Sequence, residues 1–227
     1  MSKIRAVLLD IDGTLVDSND AHARAWQQAL ARRGRQVPFE QLRALIGKGG
    51  DKLLAETVGI DKDTPAGQAI DEQRAQLFLR EHLPRLRPLP GARELILRLR
   101  AEGLRLVVAT SARSVEMNAL LELCGVRHYL DAHTSSDDAE HSKPDPDIIQ
   151  AALDRAAVPA GAALMLGDTP YDVEAAARAG VRTVALRSGG WGDDALAGAI
   201  AIYDHAAQLA GCFETSPFAN GARASEG

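Results

Sequence analysis

The period of the apolar positions changes twice along this chain. Residues 4–9 form a short apolar run with one polar member, Arg5, and end in Asp10-Ile11-Asp12-Gly13-Thr14. Such a run, closed by a glycine, predicts a buried strand feeding a sharp turn. From Asp20 to about Leu83 the period becomes helical. Ala23, Trp26, Ala29 and Leu30 recur on one face, Gly34 offers a stop, and further helical stretches cover 39–46, 52–58 and 68–83. No convincing strand interrupts them. Pro84, Pro88, Pro90 and Gly91 then punctuate the chain. Beyond them the two periods alternate. Helices are predicted over 92–102, 115–124, 146–157 and 173–179, and strands over 104–109, 163–166 and 181–186, with a weak short one near 132–134. The strand at 181–186 reads as the last.

Strand and helix in alternation predict an α/β fold, a doubly wound parallel sheet with helices on both faces. A helical block inserted after the first strand would sit as a lid over that strand's end. The expected division is a core of residues 1–17 and 88–211, a helical cap of 18–87, and a disordered tail of 212–227, where periodicity is lost.

Composition narrows the function by exclusion. With 46% apolar residues the chain can build a core. Its apolar runs stop well short of a membrane span. The first residues lack the long apolar segment of a signal peptide, so a cytoplasmic protein is expected. A net charge of -5 without a basic block argues against nucleic acid as a partner. Two cysteines, Cys124 and Cys212, make neither a disulfide framework nor a metal quartet. A monomer or weak homodimer is expected. Only five of the 26 basic residues are lysine, which draws the eye to where lysine was retained.

In open parallel sheets ligands bind beyond the carboxyl ends of the strands. Those ends carry Asp10 and Asp12, then Thr110 and Ser111, then Asp168. Lys143 stands between Ser142 and Pro144, just ahead of a predicted helix. Clustered carboxylates repel one another unless a cation lies among them, and an all-oxygen set suits Mg²⁺. Each element alone has a plainer reading: Asp-x-Asp-Gly as an ordinary turn, Asp168 or Thr169 as a helix cap, Thr110 and Ser111 likewise, Lys143 as a surface lysine.

Taken in order, these residues resemble the four motifs of the haloacid dehalogenase-like superfamily. The first is Asp10-Ile11-Asp12-Gly13-Thr14, the second Thr110 after an apolar strand, the third Lys143-Pro144, and the fourth runs from Gly167-Asp168 to Asp172. The helical insertion is similar to the C1 cap of the phosphoglycolate phosphatase and β-phosphoglucomutase branch. The resemblance implies a Rossmann-like core and Mg²⁺-dependent phosphoryl transfer from a small phosphorylated metabolite. It implies Asp10 as nucleophile, Asp12 as general acid and base, and Thr110 and Lys143 on the phosphoryl oxygens. Mg²⁺ would be held by Asp10, the backbone carbonyl of Asp12 and Asp168, with Asp172 acting through water or by orienting Lys143. The acid at Asp12 favours phosphoryl transfer over dehalogenation.

Substrate choice is expected from the cap. His22, Lys48 and Lys52, together with Ser111 and Arg113, are candidate substrate contacts. The loop Ile46-Gly47-Lys48-Gly49-Gly50-Asp51-Lys52 has no arginine where the mutases carry one. It looks more like a phosphoglycolate phosphatase loop. The expected activity is therefore a phosphatase for a phosphoglycolate-like acid or a sugar phosphate. A phosphomutase, or a non-catalytic binding module on the same fold, are the alternatives.

Overall fold

The computed structural model describes residues 3–219. Six strands, β1 (Ala6–Leu9), β2 (Arg105–Ala109), β3 (Ala132–Thr134), β4 (Ala163–Gly167), β5 (Arg182–Leu186) and β6 (Ala201–Tyr203), form one sheet in the order β3-β2-β1-β4-β5-β6. All pairings are parallel. The order turns outward in both directions from β1 and β4, which opens a crevice at their carboxyl ends.

Alternating side chains of the strands feed two separate cores. Val7, Leu9, Leu106, Val108, Leu164 and Leu166 face one side, where they meet α5 (Ala92–Ala101), α6 (Ser114–Cys124) and α9 (Ala206–Gly211). Ala6, Leu8, Val107, Ala109, Ala163 and Met165 face the other, against α7 (Asp147–Ala156) and α8 (Pro170–Arg178). With both faces covered, the strands carry apolar runs rather than an apolar-polar alternation.

Between β1 and α5 the chain forms α1 (Asn19–Ala31), α2 (Phe39–Arg43), α3 (Gly50–Val58) and α4 (Pro65–Leu77), the last continuing through a π-helical turn over Phe78–His82. Its apolar residues Trp26, Leu30, Leu53, Leu54 and Phe78 belong to the same buried cluster as the first sheet face. The chain enters and leaves this insertion side by side. The Asp17 amide donates to Arg87 O at 3.2 Å, and the Leu89 amide donates to Leu15 O at 2.9 Å.

Two expectations at the carboxyl-terminal end need correction. Residues 181–186 are not the last strand, because β6 follows at the sheet edge; it is three residues long and half-buried, too short for a periodic signal. Nor is the stretch from 212 onward structureless as far as residue 219. Phe213 and Phe218 are 2% and 0% exposed and join the large core cluster. Apolar anchoring by two isolated rings has no period to recognise. The rest of the expected tail, 220–227, lies outside the described residues.

Candidate active site

β1 delivers Asp10 to the crevice, and the turn that follows puts Asp12 beside it. Gly13 makes that turn with a φ of 73°. A side chain at Gly13 or at Gly189 would collide with the Asp168 carboxylate, so two backbones close on that group. Asp168, at the end of β4, accepts from Thr14 Oγ1 at 2.9 Å and from Asn19 Nδ2 at 3.0 Å. Asp172 completes the capping box of α8 with Thr169. Its Oδ2 accepts from the Thr169 amide at 3.0 Å and from Thr169 Oγ1 at 2.7 Å. Capping α8 with Oδ2 leaves the other oxygen of Asp172 to accept from Lys143.

Lys143 is the hub of this cluster. Its Nζ donates to Asp10 Oδ1, Asp172 Oδ1 and Ala109 O, each at 2.7 Å. An ammonium has three protons, and all three are engaged. A planar guanidinium could not point three donors at such converging oxygens, which accounts for a retained lysine in an arginine-rich chain. Burial opposes the charge of Lys143, but Asp10 and Asp172 outweigh it and hold the group protonated.

The carboxyls experience opposite fields. Burial pushes Asp10 well above the usual carboxylate range; Lys143 works against the shift, and Asp172, Asp168 and Asp12 reinforce it. Burial and the repulsion of Asp172 push Asp168 up to about 8. Burial also penalises an ionised Asp12, but there His22 and Ser18 outweigh it and leave the carboxyl below its ordinary value. His22 Nε2 sits 2.9 Å from Asp12 Oδ1, and Ser18 Oγ donates to the same oxygen. The His22 ring stacks on Phe78, with centroids 3.9 Å apart.

Oxygens of Asp10, Asp168 and Asp172 lie within 4.8 Å of one another. Buried, mutually repelling and all oxygen, this donor set fits a hard divalent cation such as Mg²⁺, which would relieve the field that raises Asp10 and Asp168.

Above the cluster lies a cavity of about 40 Å³. Asp10, Asp12, Thr110 and Ser111 form its floor, and His22, Trp26, Lys48 and Arg74 belong to the insertion that covers it. Thr110 is buried and its Oγ1 accepts from the Ala112 amide at 3.1 Å. Lys48 reaches the cavity, yet its Nζ donates to both oxygens of Glu56 at 2.7 and 2.8 Å. Arg113 is not among the lining residues. Its guanidinium donates to Glu72 at 2.9 Å, joining the sheet core to α4. Lys52 likewise pairs across to Asp145 at 2.7 Å.

Residues outside the predicted set also build the site. Thr14 and Asn19 orient Asp168, Ser18 orients Asp12, and Arg74 forms part of the cap wall. The first three stand close to the Asp-x-Asp motif, a proximity that could have flagged them. Arg74 carries no such signal, since it lies in an ordinary polar stretch of helix.

Comparison with known proteins gives the same picture. A phosphoglycolate phosphatase of Rhodospirillum rubrum is 34% identical over 218 residues, covering 90% of this chain and 89% of that protein. A hydrolase of Pseudomonas syringae superposes with a TM-score of 0.85 at 28% identity, covering 92% of this chain and 98% of its own. CbbY of Rhodobacter sphaeroides, solved in complex with phosphate, does so with a TM-score of 0.74 at 28% identity, over 91% and 96% of the two chains. The model of the haloacid dehalogenase-like hydrolases matches residues 4–180. The chain thus belongs to the haloacid dehalogenase-like hydrolase family.

Proposed function

We propose that the protein is a Mg²⁺-dependent phosphatase that hydrolyses a small phosphorylated metabolite, a phosphoglycolate-like acid or a sugar phosphate, through an aspartyl-phosphate on Asp10. The observation that carries this reading is geometric: Asp10 and Asp12 meet at one cavity floor, Asp10 held by the Lys143 ammonium at 2.7 Å and Asp12 by His22 at 2.9 Å.

Asp10 attacks phosphorus in line, and the ester oxygen leaves as an alcohol; water then cleaves the acyl phosphate to inorganic phosphate and regenerates the carboxylate. Lys143 orients the Asp10 carboxylate and neutralises charge on the non-bridging oxygens, and the Thr110 hydroxyl adds a hydrogen bond to them. A phosphate dianion entering beside Asp12 raises its affinity for a proton. Asp12, oriented through Oδ1 by His22 and Ser18, then gives a proton to the leaving oxygen and takes one back from the attacking water. Mg²⁺ would be held by Asp10, Asp168 and the backbone carbonyl of Asp12, where it supplies charge neutralisation for the transferring phosphoryl group. Asp172 acts by holding Lys143.

The division into core and cap follows from the same reading. Residues 18–87 act as a cap that moves to admit substrate, hinging near Asp17–Ser18 and between Pro84 and Pro88, where the chain enters and leaves the insertion side by side. Identical cap positions in substrate-free and phosphate-analogue-bound crystals would count against this motion. For the activity, p-nitrophenyl phosphate is the first substrate to try. Phosphate release with Mg²⁺ that stops on adding EDTA is the expected result; indifference to EDTA removes the metal from the account. The mutase alternative needs an anchor for a second phosphate. Among the described residues, the cap cations lining the cavity, Lys48 and Arg74, are already paired with carboxylates. Conversion of β-glucose 1-phosphate to glucose 6-phosphate would restore that alternative.

A further inference from the structure

Ser142 precedes Lys143 in the loop ahead of α7, and it is buried. From the core, among the described residues, it takes one hydrogen bond: its carbonyl accepts from the Asp145 amide of the same turn at 3.1 Å. Both of its donors leave the core. The Ser142 amide donates to Asp51 Oδ2 at 3.3 Å, and Ser142 Oγ donates to Asp51 Oδ1. The hydroxyl oxygen in turn accepts from the Gly49 amide at 3.0 Å. Gly49 and Asp51 belong to the insertion, at the start of α3. Lys52, the next residue, pairs with Asp145 at 2.7 Å.

This contact is close and specific. A Cβ on Gly49 would lie 2.6 Å from Cβ of Ser142, so glycine is what lets the two segments approach. A carboxylate only accepts, and each oxygen of Asp51 takes one Ser142 donor. Hydrogen bonds onto a carboxylate are the stronger kind. Lys48, Gly49 and Gly50 line the cavity, and Asp51 is not among the lining residues. Asp51 therefore meets Ser142 rather than whatever the cavity holds. Lys143 is thus fixed at both ends. Its ammonium is held by Asp10, Asp172 and Ala109 O, and the residue before it in the chain is held by the cap.

We propose that Asp51 is a positioning residue for Lys143: docking of the cap onto Ser142 sets the backbone from which Lys143 reaches Asp10, so the lysine is in register for phosphoryl transfer only beneath a closed cap. The inference rests on the phosphatase reading with its moving cap, and deepens it by tying cap closure to the cavity floor. When the cap moves to admit substrate, Ser142 gives up three hydrogen bonds, and it regains them on closure.

The test uses full-length, Mg²⁺-loaded enzyme with p-nitrophenyl phosphate, glycerol 3-phosphate and phosphoglycolate. A misplaced reacting group slows every ester alike, so Asp51→Ala should lower kcat by at least about tenfold, and by a similar factor on each. Asp51→Asn, which keeps one acceptor oxygen, should recover part of the loss. Ser142→Ala combined with Asp51→Ala should cost less than the product of the two single losses, because both act through one contact. A second readout needs no turnover. Substrate-free enzyme is labelled briefly with acetic anhydride, and Lys143 is read by peptide mass spectrometry against the exposed Lys3. Asp51→Ala should raise the labelling of Lys143 several-fold relative to Lys3; should that variant not fold, Ser142→Ala carries the same measurement. Unaltered Lys143 labelling, or single losses that multiply, would overturn the positioning role. A loss that differs between esters, or one confined to KM, would make Asp51 a substrate contact and overturn it as well. Should the wild-type enzyme release phosphate from none of the esters, the phosphatase reading fails, while the labelling still decides whether the cap holds Lys143.

Discussion

On the cavity floor, Lys143 stands between Asp10 and Asp172, with Asp168 alongside and Asp12 beyond. On the cap wall, Arg74 stands between Asp71 and Glu116, and Lys48 is paired with Glu56. Both regions bury ion pairs, but with different consequences. The floor gathers more carboxylates than its lysine can neutralise, and burial pushes Asp10 and Asp168 upward. That surplus invites a cation, and only the cation's charge makes room for a phosphoryl group. The wall has settled its cations internally, each paired with a carboxylate. One region keeps carboxylates in excess of its cation, the other holds ion pairs that are balanced.

Substitutions can break this contrast. The largest effect is expected for Asp10→Asn, which removes the proposed nucleophile and one repelling charge. Phosphate release should fall by at least about a thousandfold, while the thermal melting temperature stays level or rises. Lys143→Met comes next. It strands Asp10 and Asp172, and breaking a buried pair costs about 3 kcal/mol of stability, readable as a lower urea midpoint alongside lost activity. Stability unchanged at neutral pH would show that the pair contributes nothing to the fold.

A smaller, directional effect belongs to His22→Asn. His22 and Ser18 lower Asp12 against the opposing effect of burial, so removing His22 moves that carboxyl upward. Asp12 must be ionised to take a proton from water, and the acid limb of the kcat profile should shift to higher pH. A shift to lower pH would contradict the pairing. Smallest of all is the half-buried surface bridge between Lys52 and Asp145, worth about 0.5 kcal/mol in either partner's removal. Lys52 lowers Asp145 from 3.8, so the folded state has the depressed value. The bridge's contribution is present above that pH and fades as pH falls through the lower, folded value. Lys52→Met should thus narrow the stability difference from the parent in acid.

The two regions also differ in how far they can be read from sequence. Asp10, Asp12, Lys143, Asp168 and Asp172 lie at strand ends or beside prolines, where a few neighbouring residues reveal both position and chemistry. The sheet itself is legible for the same reason, because its apolar runs are local. Arg74 is not. Flanked by Gln73 and Ala75, it reads as part of a solvated helix face, and its burial depends on Glu116, supplied by a different helix. Arg113 shows the converse: close to Thr110 in sequence, it is drawn aside by Glu72. Strand β6 and the packing of Phe213 and Phe218 rest on tertiary contacts with no period of their own. Local chemistry is written in adjacent residues; the Arg74–Glu116 pair exists only after α4 and α6 have met.

The central claim is that Asp10 becomes phosphorylated during turnover. Rapid mixing of the Mg²⁺-loaded enzyme with p-nitrophenyl phosphate, acid quenching and peptide mass spectrometry tests it most directly. The account predicts a phosphoryl group on the peptide containing Asp10, formed and lost at rates compatible with turnover and absent from Asp10→Asn. An unmodified Asp10 peptide from wild-type enzyme, together with turnover that survives in Asp10→Asn, would contradict it.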